Sequence, residues 1–411
     1  LVGVPVRKPP GVLTYLLQTL AWQQLRIQAE ITYIFVPNFG NEPHRDAALA
    51  LLVDAQTDNT IVWPNVDAPE GDYGERAETR QWSPLAFARM AALKNRLLQH
   101  AMDERYDFVW LLDADVMCDP GTLQSMLDAA GHDSWLLDES RRIPIVCAVY
   151  WTRWQRKQPD STDAVHAGPQ VWLVHPYGLS GRGWTEAQFR SALVRRQRLS
   201  VGGLGACTLI PVQALQHGVS FARYDVLPQS GGMSEGEDRH FCAWATAKHV
   251  PLVADAWPDI WHAYHPHEYE QLPDCVAALR YESTQPKVGD LVSGKVEMLE
   301  PTPDANGRMC IGVHRWIRGI LGALPVLPQI SETLARLTPG QHKLVKLHFP
   351  AEWPHTPLRL QSRLARVTLF DTKPFRLPPV IDREHLVGGN SFSLLDGTQH
   401  TQEQMHDLTR I

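Results

Sequence analysis

Apolar positions in this chain fall into two patterns, helical spacing and short unbroken runs, and the two alternate through the first two thirds of its length. Val2-Gly-Val-Pro-Val6 reads as a short buried strand, and Leu13, Leu16, Leu17, Leu20 and Trp22 recur at helical spacing, which predicts a helix over 13–27. Ile31–Val36 predicts a second strand, ended by Pro37-Asn-Phe-Gly40, and 47–55 a second helix. Thr60–Trp63 predicts a third strand, followed by a carboxylate-rich loop from Asn65 to Trp82. Residues 84–105 form a strongly periodic helix carrying Leu85, Ala88, Ala92, Leu97 and Met102, and Phe108-Val-Trp-Leu-Leu112 is a fourth strand, apolar throughout. A helix over 120–130 comes next. Farther on the pattern predicts strands at 204–211 and 252–256 and helices at 213–217 and 241–249. Continuously apolar strands alternating with helices imply a mainly parallel sheet covered on both faces, an α/β fold. Ligands of such sheets bind beyond the carboxyl ends of the strands. Residues 155–200 are polar and irregular and include Gly178–Gly183, which reads as a loop over a site.

The alternation breaks near 282–286, and strand signals dominate beyond it, at 291–299, 343–349 and 364–370. Residues 1–285 are net acidic and hold nearly all of the 14 Trp, whereas 286–411 are net basic. Two domains are therefore expected, 1–285 and a smaller α+β domain over 286–411. At 44% hydrophobic and 20% charged residues, the chain has apolar mass for real cores, which excludes disorder over its whole length. A net charge of −6 argues against a nucleic-acid wrapper or a polybasic membrane binder. The six Cys are widely spaced with no C-x-x-C, as in a reduced cytoplasmic protein. No apolar run reaches the roughly 20 residues of a membrane helix, and no signal peptide is expected.

The chemistry concentrates in two acidic segments. Asp113-Ala-Asp115 directly follows the fourth strand. A D-x-D is often only a turn or a cap. Two carboxylates at the end of a buried strand, however, are costly without a cation, and Mn²⁺ or Mg²⁺ bridging to phosphate oxygens meets that demand. Glu237-Asp238 opens a helix after a glycine-rich turn from Ser230, where acids cap favourably or serve a reaction. Three His, at 262, 265 and 267, close the first domain.

Together, the strand Val2–Val6, Lys94-Asn95 in the helix, Tyr106-Asp-Phe-Val-Trp-Leu-Leu-Asp-Ala-Asp115, Gly202-Gly203, Gly236-Glu-Asp238 and Trp261-His262 resemble, in order and spacing, a GT-A fold glycosyltransferase. Within that fold the resemblance is to glycosyltransferase family 2, and the helix and D-x-D segment is also similar to the Anp1-like mannosyltransferases. The resemblance implies a metal-dependent transferase that moves a sugar from a nucleotide-sugar donor to an acceptor hydroxyl of a glycan, a protein or a modified nucleic-acid base. It implies metal ligation by Asp113, Asp115 and His262, with His265 the fallback. It assigns the general base to Asp238, with Glu237 orienting the acceptor, and leaves open whether configuration is inverted or retained. Arg7, Asp67, Lys94, Asn95, Asp113, Gly202 and Gly203 are the implied donor contacts. Lys8 and Arg89 are charged neighbours of those positions, and Trp151, Trp154, Trp172 and Trp184 are candidates for a sugar site or for the core.

Two further readings stand beside it. One is a nucleotidyltransferase on a similar sheet, although Val6-Arg-Lys-Pro-Pro-Gly11 lacks the glycines of a phosphate loop. The other is a peptide-binding or chaperone-like protein with a degenerate transferase domain. The latter draws on residues 286–411, which resemble the FKBP-type domain of trigger factor in Lys287–Lys295, Leu334–Gly340, Leu347–Trp353, Arg366–Phe370, Leu377–Val380 and Thr401–Met405. Leu327-Pro-Gln-Ile330 departs from that family's Ile-Pro-Gly-Phe, which points away from prolyl isomerisation and toward peptide or partner binding.

Overall fold

The computed structural model describes residues 1–67, 82–131, 142–154, 166–172, 186–194, 196–225, 236–280, 290–299, 302–303, 309–310, 314–321, 327–348 and 362–373. It divides into two compact units, one built on Leu1–Arg280 and the other on Tyr281–Leu377.

The first unit begins with β1 (Val2–Val6), α1 (Pro10–Ala21), β2 (Tyr33–Pro37), α2 (Arg45–Asp54), β3 (Thr60–Val62), α3 (Pro84–Asp103) and β4 (Phe108–Leu112). Next come β5 (Val116–Cys118), α4 (Thr122–Ala130), β6 (Ile145–Ala148), β7 (Trp151–Trp154), β8 (His166–Pro169), β9 (Val171–Trp172) and α5 (Glu186–Val194). The unit ends with β10 (Arg198–Ser200), β11 (Gly203–Leu204), β12 (Cys207–Pro211), α6 (Val212–Gln216), α7 (Glu237–Ala247), β13 (Leu252–Asp255), β14 (Ile260–His262) and α8 (Leu272–Leu279).

Eight of these strands form one sheet, in the order β10-β13-β6-β12-β4-β1-β2-β3. The run β4-β1-β2-β3 is parallel, as is β6 with β13. β12 runs antiparallel to both β4 and β6, and β10 antiparallel to β13. The fold is thus mixed α/β around a mostly parallel sheet, with small antiparallel ladders added. Every residue of β1 is buried, as expected of a strand covered on both faces. Leu13 and Leu16 of α1 pack with Val4, Phe35, Trp110 and Met117 in the main core. Each fully buried leucine contributes roughly 1.5–3 kcal/mol.

The reversal of β12 matters for function. Its amino end, with Gly202–Ala206 before it, lies at the same edge of the sheet as the carboxyl ends of β1, β4 and β6. Cys207 pairs with Leu112, and Asp113 N donates to Ala206 O at 3.1 Å. A separate two-stranded ladder fixes the segment after β4: Val116 of β5 pairs with His262 of β14, and Ala263 N donates to Asp115 O at 2.9 Å.

α3 shows how local sequence sets an element that carries site residues. Ser83 caps it by accepting from Ala86 N at 3.1 Å, and Pro84 fits the first turn, where no N–H is needed. Its buried stripe is Ala86, Leu93, Lys94, Leu97, Leu98 and Ala101, so one lysine lies on the apolar face.

Some elements differ from the sequence expectation. The first helix ends at Ala21 instead of Ile27, because the chain beyond it is drawn across to α4: Gln23 Nε2 donates to Asp119 O at 2.8 Å and Arg26 N to Gln124 Oε1 at 2.7 Å. The single strand expected at 204–211 is broken into β11 and β12 at Gly205-Ala206, where Thr208 Oγ1 folds back onto Gly205 O at 2.6 Å. The described part of the irregular stretch 155–200 holds β8, β9, α5 and β10. Gly178–Gly183, the side chain of Trp154, Trp184, and Ser230 with the glycine-rich turn up to residue 235 lie outside the described residues.

The second unit contains β15 (Leu291–Met298), β16 (Thr302–Pro303), β17 (Met309–Cys310), β18 (His314–Ile320), α9 (Pro328–Leu334), β19 (His342–His348) and β20 (Ser362–Lys373). Its sheet runs β18-β15-β20-β19, antiparallel throughout, and α9 closes a core of Val292, Val296, Ile317, Leu334, Val367 and Leu369. Gly294 sits at a bulge where a Cβ would come within 2.5 Å of Thr368 O, so no larger residue fits. Lys287, Trp353, Leu377–Val380 and Thr401–Met405, which carry part of the trigger-factor resemblance, lie outside the described residues. Among the described residues, Cys118, Cys147, Cys207, Cys242 and Cys275 are free thiols, and no helix is long and apolar enough to cross a membrane.

Candidate active site

Two charged clusters flank Asp113-Ala-Asp115 at the edge where β1, β4 and β12 meet. The first is centred on Asp115, which is buried. Lys8, just beyond β1, places Nζ 2.6 Å from Asp115 Oδ2. His262 Nε2 lies 3.4 Å from the other carboxylate oxygen. The imidazole is fixed from behind, because its Nδ1 shares a 2.8 Å hydrogen bond with Thr152 Oγ1 and the Tyr150 ring meets it edge-on at 4.8 Å. Burial alone would raise the Asp115 carboxyl, but the Lys8 ammonium and the His262 ring outweigh it and hold it well below the usual carboxylate range. Reciprocally, burial acts to lower the Lys8 ammonium, and Asp115 together with Tyr269, 3.5 Å away, raises it above its ordinary value.

The second cluster is centred on Lys94 of α3. Its Nζ donates to Glu237 Oε1 at 2.8 Å and to Asp238 Oδ1 at 2.9 Å, both in the first turn of α7, with the Phe221 ring 5.1 Å away. Acids there also favour the helix dipole. The two carboxylates differ in access: the Asp238 side chain is 31% exposed and that of Glu237 only 8%. Burial raises the Glu237 carboxyl against the opposing pull of Lys94. Burial would lower the Lys94 ammonium, yet Asp238, Glu237 and Asp113 raise it well above the ordinary value.

Asp113 joins the second cluster electrostatically. It lines one cavity with Lys94, Asp238, Gly205, Ala206 and Phe221. Burial pushes its carboxyl up to about 7; Lys94 opposes that, while Asp115, Asp238 and Glu237 reinforce it. Tyr150 links the halves, since its hydroxyl accepts from Ala206 N at 2.9 Å while its ring touches His262. Counting Lys8 and Lys94 against Asp113, Asp115, Glu237 and Asp238 leaves an excess of two negative charges when all four carboxyls are ionised.

The other expected residues fall elsewhere. Arg7 is paired with Glu42, which also accepts from Gly40 N at 2.7 Å. Asp67 accepts from Asn65 Nδ2 at 2.8 Å, and its carbonyl takes Arg89 NH1 at 2.6 Å. Asn95 turns to the scaffold, accepting from Phe221 N at 2.8 Å. Gly202 N donates to Trp172 O at 2.9 Å. Gly203 lies against the Trp172 indole, 1.7 Å from where a Cβ would sit, and Arg239 lies 5.4 Å from the same ring. His265 is buried and forms a capping box with Glu268 at the turn Pro266–Gln271, which removes it from the ligand set. Trp151 is core. Thr152, Tyr150, Tyr269 and Phe221 belong to the site and carry no motif. Their one sequence signal is aromatic density around the acidic segments and the closing histidines.

The donor types suit a hard divalent cation: Asp115 and His262 converge, and Asp113 is adjacent in the chain. The Thr152 bond to Nδ1 is the kind of support that orients a ligating imidazole. Among the described residues, no group of three or more His, Cys, Asp or Glu is assembled to hold a metal ion.

Compared with known proteins, the sequence matches no family model and no curated protein. Among solved structures, it is similar to the mannosyltransferase PcManGT from Pyrobaculum calidifontis in complex with GDP-Man and Mn²⁺, at 14% identity and a TM-score of 0.32, over 62% of this chain and 56% of that one. This chain therefore spans little more than half of that enzyme's length. It is similar to the inositol-1-phosphate CTP transferase from T. maritima at 11% identity and a TM-score of 0.28, over 67% and 95% of the two chains. It is also similar to a mycobacterial protein at 10% identity and a TM-score of 0.31, over 77% and 82%. Likeness this remote assigns no reaction.

Proposed function

We propose that the protein is a divalent-cation-dependent glycosyltransferase that moves a sugar from a nucleotide-sugar donor to an acceptor hydroxyl. The observation that supports this best is the pairing, at one edge of the sheet, of a carboxylate–imidazole cluster with a second carboxylate cluster across the Asp113-Ala-Asp115 turn. Asp113, Asp115 and His262 would hold Mn²⁺ or Mg²⁺, which when bound supplies positive charge to the departing diphosphate. Arg7, Asp67, Gly202 and Gly203 are candidate donor contacts by the family resemblance alone. Asp238, the more accessible of its pair, is the general base. It takes the proton of the acceptor hydroxyl as that oxygen bonds to the sugar's anomeric carbon and the bond to the nucleoside diphosphate breaks. Glu237, buried and held by Lys94 beside Asp238 in the same helix turn, orients the acceptor. The acceptor is a glycan, a protein or a nucleic-acid base, and the second unit is a candidate for binding a peptide or partner.

The test is a screen of nucleotide sugars with Mn²⁺, reading release of nucleoside diphosphate with and without EDTA. Undiminished release in EDTA would remove the metal from the proposal. Release of pyrophosphate from a nucleoside triphosphate and a sugar phosphate, with no diphosphate from any nucleotide sugar, would replace the reading with a nucleotidyltransferase.

A further inference from the structure

We infer that Lys94 is a positioning residue for the transfer step: its buried ammonium holds Glu237 and Asp238 together and sets the angle at which Asp238 meets the acceptor. The inference rests on the transferase reading above, and it moves Lys94 from the donor side, where the family resemblance places it, to the acceptor side of the site.

Three observations carry it. First, Lys94 lies on the buried stripe of α3 beside Leu93, Leu97 and Leu98, so its side chain is not available as a mobile surface cation. Second, two of its three N–H bonds are committed to two carboxylates of one helix turn, at 2.8 and 2.9 Å. An ammonium shared in this way fixes both carboxylates against each other. Third, the neighbouring residue repeats the link between the same helices. Asn95 accepts from Phe221 N at 2.8 Å, and Phe221 stacks on Phe241 of α7 with ring centroids 4.3 Å apart and planes at 18°. Consecutive residues of α3 thus register α7, one through charge and one through an aromatic stack. A buried ion cluster gains little net stability over apolar packing of the same volume, so stability alone does not account for a lysine here.

The unequal exposure of the two acids gives the arrangement a direction. Glu237 is the enclosed partner of the ammonium, and Asp238 is the carboxylate with room to receive a proton. In the step, the acceptor O–H bond breaks and its proton passes to Asp238. The acceptor oxygen bonds to the anomeric carbon, and the electrons of the carbon–oxygen bond leave with the nucleoside diphosphate. Asp238 is then neutral, and Lys94 stays paired through Glu237, so no charge is stranded in the interior.

The experiment compares the full chain, Lys94→Met, and Lys94→Met combined with Glu237→Gln. The double variant keeps the net charge of the cluster and protects against simple failure to fold. Binding of UDP and of GDP with Mn²⁺ is measured by calorimetry, and transfer by kcat and by KM for the donor. The expected result is nucleotide affinity and donor KM within about twofold of wild type and a kcat lower by about 10²-fold in both variants, the scale on which a displaced general base is felt. Recovery of wild-type kcat in the double variant would reduce Lys94 to charge balance and overturn the inference. So would nucleotide binding weakened tenfold or more with kcat intact, which would make Lys94 a donor contact. A wild-type protein that releases no diphosphate from any nucleotide sugar would instead overturn the transferase reading, and this role with it.

Discussion

The contact between Lys8 and Asp115 can be weighed by a double-mutant cycle. Asp115 is 7% exposed and Lys8 22%, with 2.6 Å between Nζ and Oδ2. Removing one member of a buried pair strands the other and costs about 3–5 kcal/mol. Lys8 is the more exposed, so it can turn toward water once Asp115 becomes Asn, which places Asp115→Asn near the low end, about 3 kcal/mol. Lys8→Met leaves the carboxylate with His262 alone and should cost at least as much. The double variant has no stranded charge, so it should be more stable than the sum of the singles by about 1–3 kcal/mol, beyond the roughly 0.5 kcal/mol scatter of independent sites. Thermal and urea melts at pH 7 measure all four corners. The Asp115 carboxyl is held below its ordinary value of 3.8 in the fold, so its contribution is present above that pH and is lost as pH falls toward the folded value. The coupling should therefore be full at pH 7 and shrink below about pH 4. Additivity at pH 7 within about 0.5 kcal/mol would refute the pairing as described.

Asp113→Asn should stabilise the protein. Its folded carboxyl sits at about 7 against an ordinary 3.8, so the ionised form is disfavoured in the fold, and the gain in melting temperature should grow between pH 4 and 7 and level off above. A gain that is largest at acid pH would contradict this. Asp238→Asn should lower transfer by about 10²-fold or more while calorimetry with UDP or GDP stays unchanged; normal turnover would move the base elsewhere. Gly203→Ala forces the Trp172 indole aside, since the new Cβ would fall 1.7 Å from it, and should cost about 1–3 kcal/mol in a urea melt. An unchanged midpoint there would mean that the indole is loosely held.

The sheet was legible because its strands are contiguous apolar runs: Phe108–Leu112 appears in the structure with the boundaries its sequence suggests. Asp113 and Asp115 were legible as a pair for the same reason, being the first polar residues after such a run. What each aspartate pairs with was not. Residues 8 and 115 are brought together by the parallel docking of β1 on β4, a non-local event that leaves no local pattern. β5 and β14 are three residues each, too short for any periodicity to reveal, yet their ladder places His262 beside Asp115. Lys94 is different. It shares a stripe with Leu93 and Leu97, and a lysine on an apolar face implies buried carboxylates to meet it, so a signal was present, though the motif around it pointed to the donor.

The reach of Lys94 across 143 residues to Glu237 also bears on how the chain acquires its structure. During synthesis α3, β1 and β4 are complete long before residue 237 exists, so until then the ammonium on the apolar stripe of α3 has neither of its partners. That intermediate is penalised, so the first half of the sheet has no stable resting form of its own. The first unit should fold as one late, cooperative event with a high barrier set by distant contacts. A nascent chain halted before Gly236 should remain open to proteases across its amino-terminal half.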